Sequence, residues 1–396
     1  MELILYYVGS LSIIVLFFRY LVGIIVRIYF KPNRGLVSTF KELPLVSFTI
    51  PCYNEGEHIY HTILSILEQD YPKNLIEVIV VDDCSTDNSY EWIKKAEALG
   101  NVKSYQNKIN SGKRVSLIAA TKMSKGEICV SVDSDVILDK NALKYLLSEF
   151  TDIKVGGVGG RVSVGNANYN WITQTQEIKY FYGYELFKSM ENRFNSVLCL
   201  SGCLTAYRKT ALIDIEDSLL NRNFIGIPIK YGEDRFLTHQ LVLHGWKTKV
   251  SLKARCWTKS PTTLAGLFSQ QLRWRRSNLI DLLYTLSRPL VHVKTVNSIV
   301  LLNYLSLMMY IIIYPIIVLH TVILGWGPEV LFLHLLGMVI LSGIYQYFSV
   351  YKYKEKGVTN LLAYIGLGFI LPVSYLIITP LALLTLDSGS WETRKK

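Results

Sequence analysis

Glu77-Val78-Ile79-Val80-Val81-Asp82-Asp83 and Ile128-Cys129-Val130-Ser131-Val132-Asp133-Ser134-Asp135 share one plan, a short β-branched run that ends in an acidic pair. Runs of this length, rich in Val and Ile, read as buried strands. A third strand, Val46-Ser47-Phe48-Thr49-Ile50, is stopped by Pro51, and a short one lies near 102–105. Between them the spacing turns helical. Ile59, Ile63, Ile66 and Leu67 mark a helix over 57–69 broken by Pro72, and further helices are predicted at 89–99 and 113–123. Alternation of strand and helix predicts an α/β domain with a mostly parallel sheet, whose ligands bind at the carboxyl ends of the strands. Both acidic pairs fall at those ends.

Outside this region the composition changes. Of 396 residues 50% are hydrophobic and only 18% are charged, against about a quarter in ordinary soluble domains. The deficit sits at the two ends of the chain. The apolar run from Leu3 to Val26 exceeds the ~20 residues needed to cross a bilayer. It follows Met1-Glu2 and precedes Arg27, Lys31 and Arg34. A cleaved leader has a shorter apolar core after a basic start, so a retained anchor is predicted. The positive-inside rule then puts the N-terminus outside and the next domain in the cytoplasm. Apolar spans follow at 297–323 and 330–350, and a third run occupies 359–386. Pro372 and Pro380 divide that third run, which is predicted to be re-entrant, leaving Lys396 on the cytoplasmic side.

Segments 168–195 and 262–287 carry aromatic and basic residues at helical spacing and are predicted to lie at the membrane–water boundary. Helices packed on the sheet are the alternative. The net charge of +11 is spread beside apolar segments with no basic run standing alone. Anionic lipid is the partner this suits, and nucleic acid is not. All six cysteines lie in the middle domain without zinc-like spacing, which fits a reducing compartment.

Four groups of residues carry chemistry. Asp133 and Asp135 place two carboxylates one residue apart, an arrangement that a cation relieves. Oxygen-only ligands beside phosphate suit Mg²⁺ or Mn²⁺, and such an ion stabilises a diphosphate as a leaving group. Lys113 and Arg114 follow Gly112 at a helix start, where backbone amides also favour anions; a solvated surface pair is the alternative. Glu233 and Asp234 follow Gly232 at another helix start, as a helix cap or as a general base. Gln270, Arg273 and Trp274 offer an amide, a cation and an aromatic face, suited to sugar hydroxyls, phosphate and ring stacking.

The order of these motifs resembles the processive, inverting membrane glycosyltransferases of the hyaluronan, chitin and cellulose synthase type, and hyaluronan synthases most. Its carriers are Pro51–Glu55, Val81–Asp83, Gly112–Arg114, Asp133–Asp135, Ser201–Leu204, Gly232–Arg235, Gln270–Trp274 and Trp391–Arg394. The resemblance implies a GT-A-like nucleotide-sugar-binding domain with interfacial and transmembrane α-helices that uses a divalent metal, Mg²⁺ or Mn²⁺, to make an extracellular polysaccharide from UDP-GlcNAc and UDP-GlcA and to export it. A single-sugar polymer, or transfer to a lipid phosphate, is the alternative. By resemblance Asp82 and Asp83 contact uracil, Lys113 and Arg114 the phosphates, and Asp133 and Asp135 the diphosphate and metal. Asp234, beside Glu233, is the base. Arg273 and Trp274 serve the diphosphate and, with Gln270, Cys199, Ser201 and Gly202, the acceptor end. The family usually has Gly where this chain has Glu392, and a carboxylate there repels a diphosphate. The resulting division is an anchor at 1–30, a cytoplasmic catalytic domain at 31–260, an interfacial region at 261–295 and a membrane region at 296–396. The protein is expected in the cell membrane as a multi-pass chain that holds UDP-sugar and the growing polysaccharide.

Overall fold

A computed structural model describes residues 20–26, 39–287 apart from 225 and 230, a few positions at 298–305, 327–352 and 357–387. The first apolar run falls mostly outside these residues, the span at 297–323 almost wholly, and the Trp391–Arg394 segment entirely.

The first half of the domain alternates as the sequence predicts. β1 (Val46–Cys52), α1 (His58–Leu67), β2 (Ile76–Asp82), α2 (Ser89–Glu97), β3 (Val102–Gln106), α3 (Lys113–Met123) and β4 (Ile128–Val132) follow in order. β1 runs through Pro51, contrary to expectation. Its register with β4 ends at Thr49, so Pro51, which has no N–H to give, lies beyond the last pairing on that side while β2 still pairs along it. Ile59, Ile63 and Ile66 of α1 are fully buried in one core with Phe48, Ile50, Val78 and Val80. Each such side chain contributes about 1.5–3 kcal/mol on burial.

The second half departs from alternation. After β5 (Ile137–Leu138) and α4 (Ala142–Leu147), β6 (Val155–Val164) is followed by a long helical segment. That segment comprises α5 (Trp171–Tyr182), a π-helical turn at Gly183–Lys188 and α6 (Ser189–Arg193). β7 (Leu204–Arg208), α7 (Lys209–Asp214), α8 (Glu216–Leu220), the small pair β8 (Asn223–Phe224) and β9 (Ile227–Pro228), α9 (Glu233–Leu243) and β10 (Lys247–Thr258) complete the domain. The sheet order is β3-β2-β1-β4-β7-β6-β10-β5. β7 runs antiparallel to both neighbours and β5 antiparallel to β10, so the sheet is mixed, while its other six strands run parallel as expected. Insertion of a reversed strand between β4 and β6 leaves no trace in local periodicity.

α10 (Leu264–Ser287), α11 (Gly327–Gln346), α12 (Leu361–Ile365) and α13 (Leu371–Leu384) lie on the C-terminal side. α5 begins where Asn170 Oδ1 accepts from the amides of Ile172 and Thr173 while the Asn170 backbone amide donates to Thr173 Oγ1, a complete capping box. Residues 361–384 are helical without a break, so the two prolines do not divide this segment as expected. A π-helical turn at Gly366–Ile370 precedes Pro372, and the Leu371 amide reaches back to the Gly366 carbonyl there. Such local re-registration accommodates a proline that cannot donate. Among the described residues no helix is long and apolar enough to cross a membrane.

The long helix is fixed to the sheet by a buried ion pair, Arg161 Nη1 to Glu185 Oε1 at 2.8 Å, both side chains nearly inaccessible. Glu185→Gln removes one charge of a buried pair, a change that costs about 3–5 kcal/mol. We expect thermal unfolding of the purified chain to show that loss, and a variant as stable as the parent to rule out this anchoring.

Candidate active site

The site forms where the carboxyl end of β4 meets the start of α9. β7 lies beside β4, so the loop that leads into β7 brings Ser201 and Gly202 next to Asp133. Gly202 donates its amide to Asp234 Oδ2 at 2.9 Å, and Leu200 donates to Thr238 Oγ1, one turn further along α9, at 3.0 Å. A Cβ on Gly202 would run into the Asp234 carboxylate. Only glycine permits that approach.

Glu233 and Asp234 occupy the first turn of α9, where the helix dipole favours negative charge. Lys113, the first residue of α3, reaches across to them. Its buried ammonium lies 2.7 Å from Asp133 Oδ1, 2.9 Å from Glu233 Oε1 and 3.6 Å from Asp234 Oδ1. Burial opposes that charge, but the three carboxylates hold the Lys113 pKa well above its usual range. The two neighbouring carboxylates are driven apart. Burial pushes Asp234 up to about 6 against the pull of Lys113, with Glu233 and Asp133 adding to the rise. Burial acts the same way on Glu233, but the Lys113 charge and hydrogen bond override it, Arg273 assists, and Glu233 is pulled down to about 2. Paired titratable groups with diverging pKa values are a signature of acid–base chemistry.

Asp82 and Asp83 are completely buried at the end of β2. Asp82 accepts from Ser85 and Gln106, and Asp83 accepts from Asn107 and from the amides of Ser111 and Gly112 at 2.9 and 2.7 Å. Asp83 thus fixes the loop that delivers Lys113. Arg114 is turned inward as well, donating to the Ile229 carbonyl at 3.0 Å. The Lys113–Arg114 pair is therefore no solvated surface feature.

On α10, Arg273 is half-buried and its Nε makes no hydrogen bond among the described residues. The Trp274 ring lies 6.3 Å from that of Tyr180, and the Lys179 ammonium stands 5.1 Å from the Trp274 ring centre. Lys179 also donates to Gln271 at 2.7 Å, while Gln271 donates to Gln270. Cys199 is half-buried, one residue before Leu200. Lys179 and Thr238 escaped sequence reasoning. The isolated lysine among the aromatics of 171–182 was the available signal for the first, and a threonine four residues after Asp234 gives none.

Asp133 and Asp135 present only oxygen donors, and among the described residues no three His, Cys, Asp or Glu side chains gather as a metal cluster. A hard divalent ion that takes most of its shell from phosphate and water needs only one or two protein carboxylates. The pair fits that requirement.

Residues 44–277 match the family described as Glycosyltransferase like family 2. The chain belongs to this family. It is therefore a glycosyltransferase. It is 30% identical over 283 residues to a hyaluronan synthase of Streptococcus pyogenes, covering 69% of this chain and 66% of that protein, just under two thirds of its length. It is 32% identical over 255 residues to an N-acetylglucosaminyltransferase of Mesorhizobium japonicum, covering 64% and 60% respectively. The fold resembles that of the mannosyltransferase PcManGT from Pyrobaculum calidifontis, solved with GDP-Man and Mn²⁺, with a TM-score of 0.63 over 94% of this chain and 99% of that one at 17% identity. The GT-A-like expectation thus holds, with the sheet mixed.

Gly202→Ala forces a methyl group against Asp234. We expect transfer to fall by roughly 10²-fold, the cost of about 1 Å of misplacement, with nucleotide binding retained. Calorimetric titration with nucleoside diphosphates beside turnover checks this, and undiminished turnover would show that Gly202 does not position Asp234.

Proposed function

We propose that this glycosyltransferase is processive and inverting, joining sugars from UDP-GlcNAc and UDP-GlcA into a polysaccharide. The observation that carries the reading is the pair at the start of α9, with Glu233 held ionised by Lys113 and Asp234 raised toward neutrality. A base poised near working pH removes a proton best. Asp234 takes the proton of the acceptor hydroxyl. The freed oxygen attacks the anomeric carbon, the bond from that carbon to the diphosphate breaks, and UDP leaves from the opposite face.

Asp133 and Asp135 would hold Mg²⁺ or Mn²⁺. That ion supplies positive charge to the departing diphosphate. Asp82 and Asp83 fix the uracil end through the loop they brace, and Lys113 and Arg114 lie on the phosphate side. Arg273, whose Nε makes no hydrogen bond among the described residues, suits the diphosphate. Trp274, Gln270, Cys199 and Ser201 suit the terminal sugar of the acceptor. Trp391–Arg394 falls outside the described residues and carries no part of the reading. Aromatic faces bind sugar rings weakly enough for a chain to slide, which supports retention of the product between additions.

A multi-pass position in the cell membrane, with the catalytic domain in the cytoplasm, belongs to the same proposal. Val339, Tyr351, Leu361, Ile377 and Leu384 are 64–81% exposed on the C-terminal helices. Exposed apolar groups grouped on a few elements mark an interaction surface, and the apolar run at 3–26 points to lipid. A second reading, a polymer of N-acetylglucosamine alone, is favoured by the 32% identity to an N-acetylglucosaminyltransferase.

Radiolabelled UDP-sugars supplied singly and in pairs, followed by digestion with specific glycosidases, separate these readings. We expect long polymer only from UDP-GlcNAc with UDP-GlcA, appearing early beside unused acceptor, and none in the presence of EDTA. Polymer from UDP-GlcNAc alone establishes the second reading, even growth by single sugars excludes processivity, and full activity in chelator excludes the metal.

The raised Asp234 gives a pH dependence with a definite sign. A carboxylate acts as a base only when ionised, so transfer is present above about 6 and lost as pH falls through that value. Asp234→Asn is expected to keep UDP binding while losing transfer by roughly 10²–10⁴-fold, together with the acid limb of the pH profile. Loss of UDP affinity in step with turnover would make Asp234 a nucleotide-binding residue instead.

A further inference from the structure

The turn that carries Glu233 and Asp234 is held from outside the sheet, by α10. Gly232 adopts a left-handed conformation at φ 69°, and a Cβ there would collide with Ser277. Arg273, Ser277 and Asp281 are spaced i, i+4, i+8 and so share one face of α10. Arg273 helps to pull Glu233 down, Ser277 packs against Gly232, and Asp281 Oδ2 lies 3.4 Å from Arg235 Nε. Three successive turns of one helix thus face Gly232, Glu233 and Arg235.

Asp281 also faces Arg222 Nη2 at 3.6 Å, with both side chains almost wholly buried. Arg222 in turn donates Nη1 to the Tyr231 carbonyl at 2.6 Å. The carboxylate therefore grips both flanks of the catalytic turn, Tyr231 through Arg222 on one side and Arg235 directly on the other. Two guanidinium groups against one carboxylate make that carboxylate costly to lose, because a buried cation without its partner is strongly unfavourable. Burial pushes Asp281 up to about 6 while both arginines pull the other way.

We infer that Asp281 is a positioning residue for the transfer reaction, fixing the turn that presents Asp234 to the acceptor. It touches no substrate and acts through Arg235 and Arg222. The inference rests on Asp234 being the base.

The test uses the full chain purified in detergent, with UDP release from UDP-GlcNAc in the presence of saturating UDP-GlcA as readout and UDP titration to count folded sites. Release by the parent chain is required first, and its absence would end the functional reading and this inference with it. Given that activity, Asp281→Asn is expected to lower kcat per UDP-binding site by roughly 10–100-fold. The KM for UDP-GlcNAc should stay within about threefold, the pattern of a group acting in the transition state alone. Asp281→Glu should restore most of kcat, which a purely packing role would not produce because the longer side chain fits the space less well. A parental kcat in Asp281→Asn, or a KM rising in step with the loss of kcat, would overturn the inference while leaving the functional reading intact. Should Asp281→Asn bind no UDP, Arg235→Lys decides, since it keeps the charge and loses the planar fork. A reduced kcat with UDP binding retained supports the assignment, and a parental kcat overturns it.

Discussion

One buried ammonium among three carboxylates sets the geometry of this protein. Lys113 stands within 4 Å of Asp133, Glu233 and Asp234, which arrive from a strand end and a helix start far apart in sequence. Without a cation these carboxylates would repel each other in a place where water screens poorly. With it they converge, and they converge unequally. Glu233 receives the closer contact and stays ionised, while Asp234, at 3.6 Å, is left nearer to neutrality. Burial raises both pKa values and Lys113 lowers both, but Glu233 also gains the Lys113 hydrogen bond and the Arg273 charge, while Asp234 is raised further by Glu233 and Asp133.

The supports of Lys113 follow from that requirement. Asp83 takes two amides of the loop before α3 and an Asn107 donor, so the ammonium is delivered by a braced loop and not by a free side chain. Gly202 gives Asp234 a backbone hydrogen bond without a side chain to block it. An anion that keeps a hydrogen bond while losing water remains available as a base at moderate pH.

Much of this was legible in the sequence, for local reasons. β2 and β4 announce themselves by β-branched runs ending in acids, and α3 begins at Lys113 because Gly112 and a helical pattern meet there. Glu233 and Asp234 were visible as acids after a glycine at a helix start. The mixed sheet was not legible. β6 reads Val155-Gly156-Gly157-Val158-Gly159-Gly160, and glycines erase the alternation that marks a strand, while β7 reverses direction for reasons of packing. The proline pair misled for a different reason, since a π-helical turn supplies what Pro372 withholds. Asp281 was hidden because its partners, Arg222 and Arg235, are distant in the chain and no period links them.

The catalytic turn therefore belongs to two layers at once. Its carboxylates point toward the sheet, where Asp133 and Lys113 wait, while its backbone and Arg235 are gripped by α10. That helix is itself tied outward: Gln271 accepts from Lys179 of α5, and Arg276 donates to Thr385 just past the end of α13. Tyr231, at the entry to the turn, donates to the Leu386 carbonyl in the same region. The C-terminal region thus makes direct polar contacts with both the helix and the residue that flank the catalytic turn. An arrangement that held Asp234 by the sheet alone would leave it indifferent to those helices. Here the elements proposed to meet the membrane and the polymer share in setting the position of the group proposed to make each new bond.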